Sequence, residues 1–191
     1  MRNAVPSRTA SRGFRLDRRS ARFIGRMAVP NDDALFRLAA RVGRHALAHS
    51  FTIATAESCT GGWIGKALTD VPGSSEWFAE GFITYSNAAK RRLGVPARAL
   101  AAHGAVSEPV VRAMARAALA RSGADRAAAV SGIAGPTGAV PGKPVGTVWI
   151  CWGERRTGRI RLLSRRYRFR GDRDAVRRRS VAAALRGLLG R

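Results

Sequence analysis

In the stretch "TAESCTGG", residues 55–62, Ser58 and Cys59 stand side by side, followed by Thr60, Gly61 and Gly62. Either of the first two can attack a carbonyl carbon once a neighbouring base takes its proton. The backbone N–H groups that follow, at the start of a helix, can steady an oxyanion, and glycine lets a substrate approach the backbone closely. The same residues also suit a Ser or Thr helix cap followed by a glycine turn. A serine nucleophile requires a base, and His45, His49 and His103 are scattered with no Asp partner. Lys90, in "TYSNAAK" (84–90), can serve if burial or the neighbouring Arg91 and Arg92 lower its pKa. Tyr85, at a strand end, can hydrogen-bond the same serine and relay its proton. Otherwise Lys90 reads as an ordinary surface residue of a helix.

Two further stretches carry potential binding groups. Segment 130–146, "VSGIAGPTGAVPGKPVG", holds five glycines and three prolines. It matches neither a dinucleotide fingerprint nor a P-loop. Ser131 and Gly132, at the end of a strand there, can present backbone N–H groups to an anion. Arg173 and Arg177 in "GDRDAVRRR" (171–179) are spaced i,i+4 near a helix N-terminus, which suits a phosphate. His45 and His49 are also i,i+4 but lack the Glu of HExxH, and Cys59 and Cys151 match no metal-ligand spacing, so no metal site is read.

These residues must be positioned by elements whose periods alternate along the chain. Asn31 to Asp33 cap a helix with the stripe Leu35, Leu38, Val42, Ala46. Strands are expected at 51–55, 81–85, 126–132, 144–152 and 158–170. Helices are expected over 63–68, after Ser86 or Asn87, from Ser107 to about Arg121, and from near Asp172 with Val176, Val181, Leu185 and Leu188 buried. The last two strands lie too close in sequence for a crossover helix, so they pair antiparallel. The fold class is therefore α/β, a single domain with a mixed β-sheet.

The chain has 191 residues, 46% of them hydrophobic, enough for one domain with a sizeable core. No apolar run reaches the roughly 20 residues of a membrane helix, and the two cysteines together with the lack of a signal-peptide pattern point to the cytoplasm. Residues 1–30 read as a basic, disordered arm and 31–191 as the domain. Of the net charge of +23, residues 1–26 carry +7 and residues 155–191 carry +12. Such basicity can attract nucleic acid, yet 32 of the 35 basic residues are arginine, which reads equally as a GC-rich genome's codon bias.

Together, "TAESCTGGWI", "GFITYSNAAK", "HGAVSEPVV", "SGIAGPTG…KPVGTVW" and "GDRDAVR" resemble the CinA C-terminal domain family in order and spacing. The resemblance covers about residues 34–189, and the family includes stand-alone nicotinamide-nucleotide amidases. It implies a three-layer α/β/α domain that hydrolyses the amide of nicotinamide mononucleotide to nicotinic acid mononucleotide and ammonia. Carried onto this sequence, it makes Ser58 the nucleophile, Lys90 its base and Tyr85 an assistant. Cys59, Thr60, Gly61, Ser131 and Gly132 would line the pocket and Arg173 would hold the phosphate; no metal or cofactor is implied. The expected partners are the small-molecule nucleotide and further copies of the chain, with no membrane. The alternative is a non-catalytic nucleotide- or nucleic-acid-binding module linked to competence or DNA damage, gripping through the Arg-rich segment 155–179 with Tyr167 and Phe169 as stacking surfaces.

Overall fold

The computed structural model describes residues 28–190, so the basic arm lies outside the described residues apart from its last three positions. In chain order the elements are α1 (Asp32–Ala48), β1 (Ile53–Glu57), α2 (Trp63–Thr69), a 3-10 turn (Ser74–Glu76), β2 (Phe78–Ile83), α3 (Asn87–Leu93), α4 (Ala97–His103), α5 (Glu108–Ser122), β3 (Arg126–Gly132), β4 (Thr147–Arg156), β5 (Arg159–Arg168) and α6 (Arg173–Leu188). Local chemistry starts three of the helices: the side chains of Asn31, Ser86 and Asp172 accept the N–H groups of Ala34, Ala89 and Ala175. Ser107 does not cap α5 in this way; its hydroxyl donates to the Gly104 carbonyl.

The five strands form one mixed sheet in the order β2-β1-β3-β4-β5. β1 pairs parallel with β2 and β3, while β4 pairs antiparallel with β3 and β5. Strand alternation divides the core. Ile53, Ala128, Val130, Ile150 and Trp152 face α1, α2 and α6. Ala54, Ala56, Ala127, Ala129 and Cys151 face α5 and the short helices beside it. The result is the expected α/β/α sandwich. The expected inward stripe of α1 is buried, and so are Val176, Val181, Leu185 and Leu188 of α6, which buries alanines, Ser180 and Gly187 as well.

Only β3 begins where expected; β4 starts at Thr147 rather than 144 and β5 at Arg159 rather than 158, and β1 and β2 differ as well. β1 starts at Ile53 because Thr52 is turned aside, its N–H and hydroxyl both bonded to Asp125. It runs on through Glu57, whose charge breaks the apolar pattern. β2 spans Phe78–Ile83 rather than 81–85, with a register shift against β1 between Ile53 and Ala54. Tyr85 consequently sits beyond the strand. Helix α4 was not expected: it starts after Pro96 with no side-chain cap and buries only Leu100, so neither a cap nor an apolar stripe marks it.

β1 has β2 on one side and β3 on the other, so the connections leaving β1 and β2 run in opposite directions across the sheet. That arrangement opens a crevice at the carboxyl ends of the parallel strands. Ser58, Thr84 and Ser131 all lie there.

Candidate active site

Ser58 follows β1 directly and is fixed by its backbone, whose N–H donates to the Val130 carbonyl of β3 at 3.0 Å. Lys90 arrives from α3. Its side chain, only 1% exposed, runs inward to place Nζ 2.9 Å from Ser58 Oγ. Two carbonyls complete the surroundings of Nζ, Thr84 at 2.7 Å and Tyr85 at 3.2 Å. Burial holds the Lys90 amine below the ordinary lysine range, with Cys59 pulling in the other direction. A neutral amine has two N–H donors and one lone pair. With two carbonyls to accept those donors, the lone pair is left for the Ser58 hydroxyl.

The neighbouring cysteine is different in character. Burial pushes the Cys59 thiol up to about 12, so it stays protonated at neutral pH. Its sulfur packs near Gly132, where an added Cβ would lie 3.1 Å from it and 2.7 Å from Val148. Thr60 is also fully buried. Neither side chain is therefore presented to a substrate.

Which backbone groups remain open follows from the bonds already made. Glu57, 1% exposed, accepts the N–H groups of Gly62, Ile64 and Gly65 at 2.8–3.0 Å and so occupies the N-terminus of α2. The Gly61 N–H donates to the Ser58 carbonyl at 3.0 Å. The expected stretch of oxyanion donors, Cys59 to Gly61, thus narrows to the N–H groups of Cys59 and Thr60, which no carbonyl or carboxylate among the described residues accepts. Glu57 was not singled out in the sequence. The available signal was a lone acid ending an apolar strand just before a glycine-rich helix start.

The remaining sequence candidates separate. Tyr85 is 60% exposed, and its hydroxyl accepts a hydrogen bond from Arg173 at 3.0 Å, while it reaches Lys90 through its carbonyl. The expected bond from the Tyr85 hydroxyl to Ser58 is not among those formed, because the chain turns out of β2 before Tyr85 and aims the ring at α6. Arg173 also donates to the Gly135 carbonyl at 2.8 Å, joining the glycine-rich segment to the mouth of the crevice. Ser131 is buried and donates to the Ala105 carbonyl at 2.7 Å, bracing the end of β3 rather than facing the crevice with its hydroxyl. Arg177, spaced with Arg173 as a phosphate pair in the sequence, instead donates to the carbonyls of Cys59 and Thr60 at 3.2 and 2.9 Å. Tyr167 and Phe169 are buried and stacked on each other with centroids 5.1 Å apart, so neither is a platform for bases. No helix among the described residues is long and apolar enough to cross a membrane.

Known proteins share this arrangement of elements. The family model described as the CinA C-terminal domain matches residues 35–191. A Pseudomonas putida protein named nicotinamide-nucleotide amidohydrolase PncC is 55% identical over 158 residues, which cover 82% of this chain and 96% of that protein. Its namesake from Escherichia coli K12 is 52% identical, with 82% and 94% covered. The crystal structure of the competence/damage inducible protein CihA from Agrobacterium tumefaciens superposes with a TM-score of 0.78 at 41% identity, covering 85% of this chain and 97% of that one. The chain belongs to the CinA C-terminal domain family.

Proposed function

We propose that this chain is a nicotinamide-nucleotide amidase that works through Ser58 and Lys90. The observation that carries the reading is the buried Lys90 amine 2.9 Å from the Ser58 hydroxyl, with two carbonyls to take its hydrogens. Lys90 accepts the Ser58 proton as Oγ adds to the carboxamide carbon, and the N–H groups of Cys59 and Thr60 receive the carbonyl oxygen as it becomes negative. The Lys90 ammonium returns its proton to the departing nitrogen, the C–N bond breaks, and ammonia leaves an acyl-enzyme. Water, activated by the again-neutral Lys90, hydrolyses that ester and releases the carboxylate product, nicotinic acid mononucleotide, and free Ser58.

Arg173 is our candidate for the substrate phosphate. It stands at the N-terminus of α6, held by Gly135 and Tyr85, with further N–H donors to spare. In this reading Tyr85 orients Arg173 and frames the mouth of the pocket. The relatives named for the same activity supply the substrate class, and the reaction recycles pyridine nucleotide. We place it in the cytoplasm, which suits two free, buried cysteines.

Ammonia release from nicotinamide mononucleotide tests the reading, with wild type, Ser58→Ala and Lys90→Ala assayed in parallel. Each substitution should lower kcat by about three orders of magnitude or more, as for other nucleophile and base deletions. An inactive wild type rejects the activity. An active Ser58→Ala rejects the mechanism while leaving the activity in place.

A further inference from the structure

Arg177 lies on α6, 118 residues from Cys59, and grips the nucleophile loop from behind. Its Nε and Nη2 take the carbonyls of two consecutive residues, Cys59 and Thr60, and its guanidinium carbon sits 4.9 Å from the centroid of the Trp63 ring. None of the ion pairs among the described residues involves Arg177. Its charge is directed at the loop.

The rigidity of the peptide bond gives that grip a consequence. The Cys59–Thr60 bond is not among the cis peptides, so the Thr60 N–H points opposite to the Cys59 carbonyl. A guanidinium on that carbonyl therefore turns the Thr60 N–H away from α6. The next peptide obeys the same rule and serves as an internal check. Arg177 also holds the Thr60 carbonyl, and the N–H on the other side of that peptide, Gly61, points back to the Ser58 carbonyl. The Thr60 N–H, one residue beyond Cys59 in the loop that carries Ser58, is left without an acceptor among the described residues. A cation bonded to the carbonyl end of an amide also polarises the group and strengthens the N–H at its other end. The left-handed Gly61, φ +64°, accommodates this course, and a Cβ there would stand 3.6 Å from Arg177 Nη2.

We propose that Arg177 is a positioning residue for the oxyanion hole: by holding the Cys59 and Thr60 carbonyls it fixes and polarises the Thr60 N–H that meets the developing charge. This inference rests on the Ser58 amidase reading. It departs from the role that the i,i+4 spacing with Arg173 suggests, in which both arginines would bind phosphate. Glu57 holds the loop from the opposite side by its N–H groups, so two oppositely charged side chains fix one turn of backbone.

The test uses full-length Arg177→Met and Arg177→Lys with nicotinamide mononucleotide as substrate. Its aldehyde analogue, carrying a formyl group in place of the carboxamide, is the inhibitor. The aldehyde adds to Ser58 and places an oxyanion in the hole, so its affinity reports on the hole independently of ammonia release. Removing one oxyanion donor outright costs about 10²–10³ in kcat, so loosening one should cost about 10- to 100-fold. Arg177→Met should lower kcat by that factor with KM near wild type, weaken the aldehyde in parallel, and leave the pH profile set by Lys90 in place. Arg177→Lys keeps the charge but spans only one carbonyl, so it should recover part of kcat; it also carries the test if the Met variant does not fold. A raised KM with unchanged kcat would overturn the proposal and make Arg177 a phosphate ligand. Wild-type kcat and aldehyde affinity in both variants would overturn it as well. An inactive wild type would instead reject the amidase reading beneath it.

Discussion

Replacing Lys90 by Met should change how stability depends on pH, and the size of the change follows from where the amine sits. Lys90 is 1% exposed, and burial lowers its pKa from 10.5 in the folded protein. The unfolded chain keeps the ordinary value. Between the lowered pKa and about 10.5 this one group binds one more proton in the unfolded state than in the folded state, so the Lys90 contribution to stability rises with pH. The contribution is complete above the unfolded pKa and is lost as pH falls through the folded one. One proton corresponds to about 1.4 kcal/mol per pH unit, and with a urea m-value of about 2 kcal/mol/M the midpoint moves by about 0.7 M per unit. Lys90→Met lacks this slope. Urea unfolding of both proteins at several pH values up to about 10 gives the difference directly. Burial pushes both cysteine thiols up from 9.0 to about 12 and also raises Tyr167, so these groups lower stability as pH rises over the same range, but both proteins share that trend and it cancels in the difference. Parallel pH dependences in the two proteins would mean that the Lys90 pKa is not lowered, and the base assignment would lose its physical support. The same lowered pKa should appear in kcat as a rise with pH that levels off below the ordinary lysine range, measured by ammonia release.

Cys59→Ala should keep its turnover and lose about 1 kcal/mol of stability by urea unfolding, because the thiol is a buried packing group. Glu57→Gln exchanges a carboxylate oxygen for an NH2 that faces a backbone N–H, costing about 2 kcal/mol in the same unfolding measurement. Its kcat should fall while KM holds, since the loop it steadies carries the nucleophile and not the phosphate contact. Gly187→Ala should cost about 3 kcal/mol in urea unfolding, because its Cβ would stand 2.0 Å from Cε2 of the buried Trp152.

The places of Ser58 and Lys90 within their elements were legible from local signals, whereas the burial of Lys90 against Ser58, 32 residues away, was not. Ser58 follows a short apolar strand with a glycine-rich turn, and Lys90 ends the first turn of a helix capped by Ser86. The sheet's mixed character was legible too, since the five residues left between the expected strands 144–152 and 158–170 are too few for a crossover helix. The structure links β4 and β5 through Thr157 and Gly158 alone. The role of Arg177 was not, because the carbonyls it holds lie 118 and 117 residues away, and nothing local distinguishes a guanidinium aimed at a loop from one awaiting a phosphate. Tyr85 was misread for a related reason. The expected strand 81–85 ended on Tyr85, but β2 pairs with β1 only as far as Glu57 and Ile83, and beyond it the Tyr85 hydroxyl accepts from Arg173. Long-range registration decided both, and single-sequence periodicity carries no information about it.

The arginine excess bears on the base assignment more narrowly than the sequence suggests. Retaining lysine where nearly every other basic residue is arginine could mark a needed neutral amine, yet three positions retain it. Lys66 is exposed and pairs with Asp70, and Lys143 donates to the His103 carbonyl beside solvent. A guanidinium would serve in either place. Lys90 alone is buried, with one nitrogen enclosed by Ser58 Oγ and two carbonyls. Burial, not retention, separates it from the other two. Lys66→Arg and Lys143→Arg should therefore keep wild-type kcat. Lys90→Arg should be as inactive as Lys90→Ala, because its planar fork overfills the pocket and, with a pKa above about 12, it never offers Ser58 a lone pair. Turnover by Lys90→Arg at a tenth of the wild-type rate or better would show that the cation, and not the neutral amine, serves Ser58.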